Sequence, residues 1–361
     1  MKRIALWLSK IQQAKAAGET AALAVTLMMA LALCPQTSAA AAKGALQVYF
    51  IDVEGGQATL FVTPAHESLL IDTGWAGNNG RDADRIVAAA KLAGLNRIDY
   101  VLITHYHNDH IGGVPQLVER IPVGTFIDHG PNRETADADT EQNWEIYQKI
   151  LATHGKRLVV KPGDTLPIQG LHATVVSSDG NLIDHPIEGS GAANSYCNSA
   201  ASYPDDVTEN ARSLGLLLTF GKVRVLDLGD LTADKEMQLM CPVNKVGKID
   251  VYIVSHHGWE QSTSPALMGA IQSRIAIMDN GAKKGGTPRI IDRVQQAPGL
   301  ERLWQLHYSE EGGTAHNTAV PYIANLPGAD SGYYLKLTVH PDNSMEVFNA
   351  RTGESQHYAA R

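Results

Sequence analysis

Three histidines and a carboxylate fall within six residues of this chain, in Thr104-His105-Tyr106-His107-Asn108-Asp109-His110, directly after the apolar stretch Tyr100 to Ile103. No other feature constrains the chain as strongly. A loop leaving a strand can point alternate side chains at one centre, and imidazole with carboxylate suits zinc or another borderline divalent ion.

The rest of the chain supplies a globular setting. With 361 residues, 44% hydrophobic and 19% charged, it has the composition of a protein that buries a large core, in one large domain or two ordinary ones. Short apolar runs alternate with amphipathic stretches, without a fixed repeat or heptad. The pattern predicts strands over 46–53, 59–62, 69–72, 100–104, 125–128, 158–160, 173–176, 214–220, 224–228, 251–254, 275–278, 303–306, 334–339 and 345–348. It predicts helices over 83–93, 141–154, 233–240, 264–271 and 289–296. A hairpin turning on Glu54-Gly55-Gly56-Gln57 makes the sheets mixed. The segment 184–210 is rich in Ser, Ala, Asn and Gly and reads as a long surface loop.

Charge argues against a general polyanion binder. The formal net charge is −8, and the first 40 residues carry +3, which leaves −11 on the remainder. Nucleic-acid proteins normally show a basic footprint, so nucleic acid is a disfavoured partner and a small molecule a favoured one. The first 42 residues combine a basic start, an apolar run at 21–33 and small residues from Thr37 to Ala42. They read as a cleavable export signal, with no membrane span left after processing and a periplasmic or secreted product. Leu33 before Cys34 is not the small residue that a lipoprotein signal wants. Cys197 and Cys241 remain beyond the leader, and an oxidising compartment would permit them to pair.

The histidine cluster, preceded by Ile71-Asp72-Thr73-Gly74, resembles the metallo-β-lactamase superfamily. More narrowly, Phe50-Ile51-Asp52-Val53-Glu54-Gly55-Gly56-Gln57-Ala58, Leu228-Gly229-Asp230 and Ser255-His256-His257-Gly258 are similar to motifs of the hydrolase domain in competence-type DNA-uptake channels. The resemblance runs over about residues 46–350 and lacks the channel helices, as a free-standing exported relative would. It implies an α/β fold, an αββα sandwich of two mixed sheets flanked by helices, over a single domain at 43–361. It implies that His105 and His107 hold one metal, that Asp109 and His110 hold a second, and that Asp230 bridges them. One of His256 and His257 is the last ligand, His257 by preference, and the other lies behind it or moves a proton.

The superfamily usually places a further histidine about twenty residues before the bridging Asp, where this chain has Asn210. The first site is then weak or empty, one tight Zn2+ is favoured over two, and Asn210 completes the shell or binds substrate. His172 and His185 are the possible substitutes. Asp72 is expected to stay off the metal and fix the histidine loop by accepting hydrogen bonds. Trp259 is a candidate aromatic wall, Lys284 within 280–286 a candidate cation for the pocket, and His129, His307 and His316 are exposed-loop candidates.

These features imply an exported zinc-dependent hydrolase whose metal-bound hydroxide attacks a small molecule, with Asp109 orienting the hydroxide and taking its proton. The leaving group would be protonated by a His-pair member or by water. Alternatives are a hydrolytic dehalogenase of chlorinated aromatic nitriles, a secreted phosphodiesterase or nuclease, and, from another class, a non-catalytic metal-binding module of the envelope. A G-x-S-x-G element is absent from the sequence, which makes a covalent serine mechanism the weaker enzyme reading.

Overall fold

The computed structural model describes residues 44–199, 203–328 and 330–361. The export leader expected at 1–42, with Cys34, lies outside the described residues. Alternation along the strands builds the layers. Leu69 and Ile71 enter one cluster of buried side chains while Leu70 between them enters another, and Ile275 and Ile277 part from Ala276 in the same way. Strands buried on both faces carry continuous apolar runs, as Leu69 to Ile71 do within Ser68–Ile71 and as all of Ile275–Met278 does.

Among the described residues the result is two mixed sheets. The first has nine strands in the order Glu354–Tyr358, Met345–Asn349, Leu335–Val339, Leu46–Phe50, Thr59–Val62, Ser68–Ile71, Ile98–Leu102, Val123–Asp128 and Lys156–Val159. The second has eight, in the order Ile323–Asn325, Arg302–His307, Ile275–Met278, Val251–Ile253, Val223–Asp227, Gly215–Phe220, His172–Ser178 and Asn181–Leu182. Leu46, Val48 and Ile71 of the first meet Leu216, Val225 and Ile253 of the second in the central core. Outside the first sheet, Ile86 and Tyr147 bring in the helices Arg81–Leu92 and Ala138–Leu151. Outside the second, Leu239, Leu267 and Ile290 do the same for Ala233–Met240, Pro265–Ile271 and Pro288–Gln295. This is the αββα sandwich.

Three differences from the sequence reading have local causes. The strand expected at 100–104 runs Ile98–Leu102, because the Thr104 N–H leaves the ladder and donates to Asp72 Oδ1 at 2.8 Å. The helix expected at 141–154 starts at Ala138, because Asp137 caps it by accepting the Thr140 N–H at 2.8 Å. The segment 184–210, as far as described, is pinned to the body. Ala193 pairs with Val243, Asn194 Nδ2 donates to Met240 O and Ala266 O, and Cys197 is disulfide-bonded to Cys241. Among the described residues no helix is long and apolar enough to cross a membrane.

Candidate metal centre

The histidine segment changes conformation midway, and that change makes its spacing work. His107 itself is extended, and His105 and His107 turn their rings together, Nε2 to Nδ1 at 3.1 Å; Asn108–Ile111 is a helical turn that swings Asp109 and His110 inward. From the second sheet come Asp230, just beyond Val223–Asp227, and the His256-His257 pair just beyond Val251–Ile253. Both histidines of the pair have left-handed backbone, φ 56° and 53°. Each such residue costs roughly 1–2 kcal/mol, the kind of strain that functional sites retain.

Donor atoms of Asp109, His110, Asp230 and His257, all buried, lie within 4.8 Å of one another. His257 Nε2 is 3.1 Å from Asp109 Oδ2, 3.2 Å from His110 Nε2 and 3.5 Å from Asp230 Oδ1. Asp230 Oδ2 is 3.2 Å from His110 Nε2, 3.3 Å from His256 Nε2 and 3.9 Å from His105 Nε2. His105 Nε2 in turn faces His107 Nδ1 at 3.1 Å. Asp230 Oδ1 is buried without a hydrogen-bond partner. Ring nitrogens that face each other at 3.1–3.2 Å are matched either by a hydrogen between them or by a cation that both can bind, and a set of imidazole nitrogens and carboxylate oxygens fits a divalent cation.

The rings are held from behind. Asp72 is fully buried; its Oδ2 accepts from His110 Nδ1 at 2.7 Å and from Thr104 Oγ1 at 2.7 Å. Thr104 Oγ1 lies 3.0 Å from His105 Nδ1. His256 Nδ1 is 3.3 Å from Ser262 Oγ and His107 Nε2 is 2.9 Å from Glu134 Oε2, while His257 Nδ1 faces Asp279 Oδ1 at 3.3 Å as a charge contact without hydrogen-bond geometry. Such outer partners leave the opposite ring nitrogen free for a ligand. Burial works against charge on Asp109 and Asp230, yet His110 beside both, with Lys284 beside Asp109, holds the two carboxyls well below the usual range. Burial, with His110 and His107 near, pushes His105 well down, so its ring is neutral and its lone pair available.

The glycine-rich turn explains itself here. A Cβ on Gly56 would lie 2.3 Å from Asp109 O, whose carbonyl accepts the Gln57 N–H at 3.1 Å. Gln57 Nε2 also donates to Asp227 Oδ2 at 2.7 Å, close to Asp230. Gly56→Ala is therefore expected to displace Asp109, lowering both cation content and melting temperature, as metal analysis and thermal denaturation would show.

Lys284 Nζ contacts Asp109 Oδ2 and sits 4.7 Å from the centre of the Trp75 ring. Trp259 stacks beside His256 and is 41% exposed. Asn210 is buried and its Oδ1 has no hydrogen-bond partner. Other residues lie elsewhere. His129, expected on an exposed loop, is buried with Nε2 2.9 Å from Glu209 Oε2, so a paired carboxylate occupies the nitrogen that a substrate would need. His307 is likewise buried, 2.6 Å from Asp52 Oδ1. His316 pairs with Asp292, while His172 and His185 are exposed. Sequence reasoning missed Trp75, Glu134 and Asp279. Trp75 directly follows the Ile71–Gly74 motif, and Asp279 is an acid at a strand end, but Glu134 sits in a polar stretch with no distinguishing pattern.

Comparison with known proteins agrees with the fold and the motifs. Residues 51–196 match the family described as the metallo-beta-lactamase superfamily. Recombination protein 2 of Haemophilus influenzae is 27% identical over 240 residues, covering 66% of this chain and 25% of its own. A hydroxyacylglutathione hydrolase of Rhodopseudomonas palustris is 30% identical over 104 residues, covering 29% of this chain and 33% of its own. The chain thus spans a quarter to a third of the length of these curated relatives. The metallo-beta-lactamase fold protein YhfI from Bacillus subtilis aligns with a TM-score of 0.45 at 15% identity, covering 81% of this chain and 99% of its own.

Proposed function

We propose that this chain is an exported zinc-dependent hydrolase acting on a small molecule. The observation that carries the reading is the convergence of Asp109, His110, Asp230 and His257, drawn from both sheets, on one buried centre. When bound there, a divalent cation lowers the pKa of a water and polarises the bond under attack. Asp109, kept ionised by His110 and Lys284, accepts the proton of the attacking water. Burial pushes His256 down to about 4, which leaves its ring neutral at neutral pH. Lys284 supplies the positive charge that a departing or bound anion would meet.

Beside the centre the Lys284 ammonium lies over the Trp75 ring and Trp259 is half-exposed, which favours a compact molecule with an aromatic or anionic part. The similarity to Recombination protein 2 favours phosphodiesters as a second reading, and the charge of −11 beyond the first 40 residues weighs against long polyanions. Export is supported by the basic, apolar and small-residue leader and by the Cys197–Cys241 disulfide, a pairing typical of oxidising compartments.

The test is metal analysis of protein purified from the envelope fraction, joined to a panel of lactones, β-lactams, phosphodiesters and chloroaromatics. Turnover should vanish on chelation and return with added Zn2+, at nearer one ion than two per chain. Full activity after stripping would overturn zinc dependence, and an intact Met1 on cytoplasmic protein would overturn export.

A further inference from the structure

Glu134 uses one oxygen for two partners on different loops. Its Oε2 lies 2.9 Å from His107 Nε2 and accepts the Glu209 N–H at 2.8 Å. Glu134 is itself held, because its N–H donates to Asn132 Oδ1 at 2.8 Å and Asn132 Nδ2 donates to Glu141 Oε2 at 2.7 Å. Glu209 is buried, with Oε2 2.9 Å from His129 Nε2 and Oε1 accepting the Arg133 N–H at 2.8 Å. The segments 129–134 and 209–210 are thereby braced together, and Glu134 Oε2 joins that brace to the histidine loop.

A carboxylate only accepts, so the hydrogen of a neutral His107 ring belongs on Nε2 and the lone pair on Nδ1. Nδ1 is the atom 3.1 Å from His105 Nε2. The Glu209 N–H held by the same oxygen immediately precedes Asn210, whose buried Oδ1 has no partner. We propose that Glu134 is a positioning residue that sets the tautomer of His107 and, through the Glu209 backbone, the placement of Asn210, so that both respond to one carboxylate. The consequence for cation binding rests on the hydrolase reading; the tautomer does not.

The experiment uses histidine-selective 15N NMR on the metal-stripped full chain near neutral-to-basic pH, and chelator competition with Zn2+ on the same samples. The wild type should show the Nε2–H form of His107. Glu134→Ala should lose that preference and bind Zn2+ about 10–100-fold more weakly, the usual cost of losing such an outer partner. Glu134→Gln keeps an acceptor oxygen and should retain the tautomer, which a merely structural role would not require. It also carries the test if the alanine variant fails to fold. An unchanged His107 tautomer in Glu134→Ala, or its loss in a folded Glu134→Gln, would overturn the proposal. A tautomer that responds as expected in a wild-type protein that binds no Zn2+ would instead overturn the hydrolase reading and leave this one standing.

Discussion

Replacing Asp230 by Ala should cost the protein its cation and its turnover together. This carboxylate approaches four imidazoles, those of His105, His110, His256 and His257, at 3.2–3.9 Å, and it is the group common to the His105 side and the His110/His257 side. Its removal leaves the buried His105 and His256 rings without the carboxylate that each faces, while His110 and His257 keep Asp72 and Asp109. The loss in Zn2+ affinity should exceed the roughly 10–100-fold that outer partners cost, because Asp230 faces the centre itself. Chelator competition and steady-state rates measure both effects, and far-UV circular dichroism checks that the sandwich persists. An Asp230→Ala protein that retains its ion and its rate would place the centre elsewhere.

The second large effect is expected at Asp72, which faces no substrate. Its carboxylate accepts from His110 Nδ1, Thr104 Oγ1 and the Thr104 N–H, all buried. Asp72→Ala strands those donors and puts alanine at φ 59°. Breaking a buried charged pair costs about 3–5 kcal/mol. Denaturant unfolding should register a loss of that order, and Zn2+ affinity should fall about 10–100-fold as the His110 ring loses its orientation. Asp72→Asn tolerates the left-handed backbone and should recover part of the stability, but its amide nitrogen, if turned to His110 Nδ1, opposes a donor with a donor. Wild-type stability in Asp72→Ala would show that the histidine loop is held by other contacts.

What the sequence revealed and what it hid divide along the distance over which each interaction acts. The helix Ala233–Met240 and the strand Ile275–Met278 coincide with their sequence-predicted bounds, because apolar period and flanking residues decide them locally. The edge strand Glu354–Tyr358 escaped notice because Glu-Ser-Gln-His-Tyr has no apolar alternation and pairs through its backbone with Met345–Asn349. The histidine segment was legible because its residues are contiguous. The misplacement of His129 has the opposite cause: its partner Glu209 is 80 positions away, and nothing near Gly130 signals a buried pair. The ambiguity of His256 and His257 reflects the fold, since two successive left-handed residues bring both rings to Asp230.

The division of the centre between the sheets sets an order of events during folding. Asp109 and His110 leave the first sheet, and Asp230 and His257 leave the second, so neither half gathers the complete set by itself. Tight capture of an ion has to wait until the central core has closed, and the bound ion then opposes separation of the halves in proportion to its affinity for the closed form. The cation acts as a latch that engages last. Refolding followed by metal uptake should accordingly lag refolding followed by core tryptophan fluorescence, and an ion supplied early should slow unfolding far more than it speeds the first collapse.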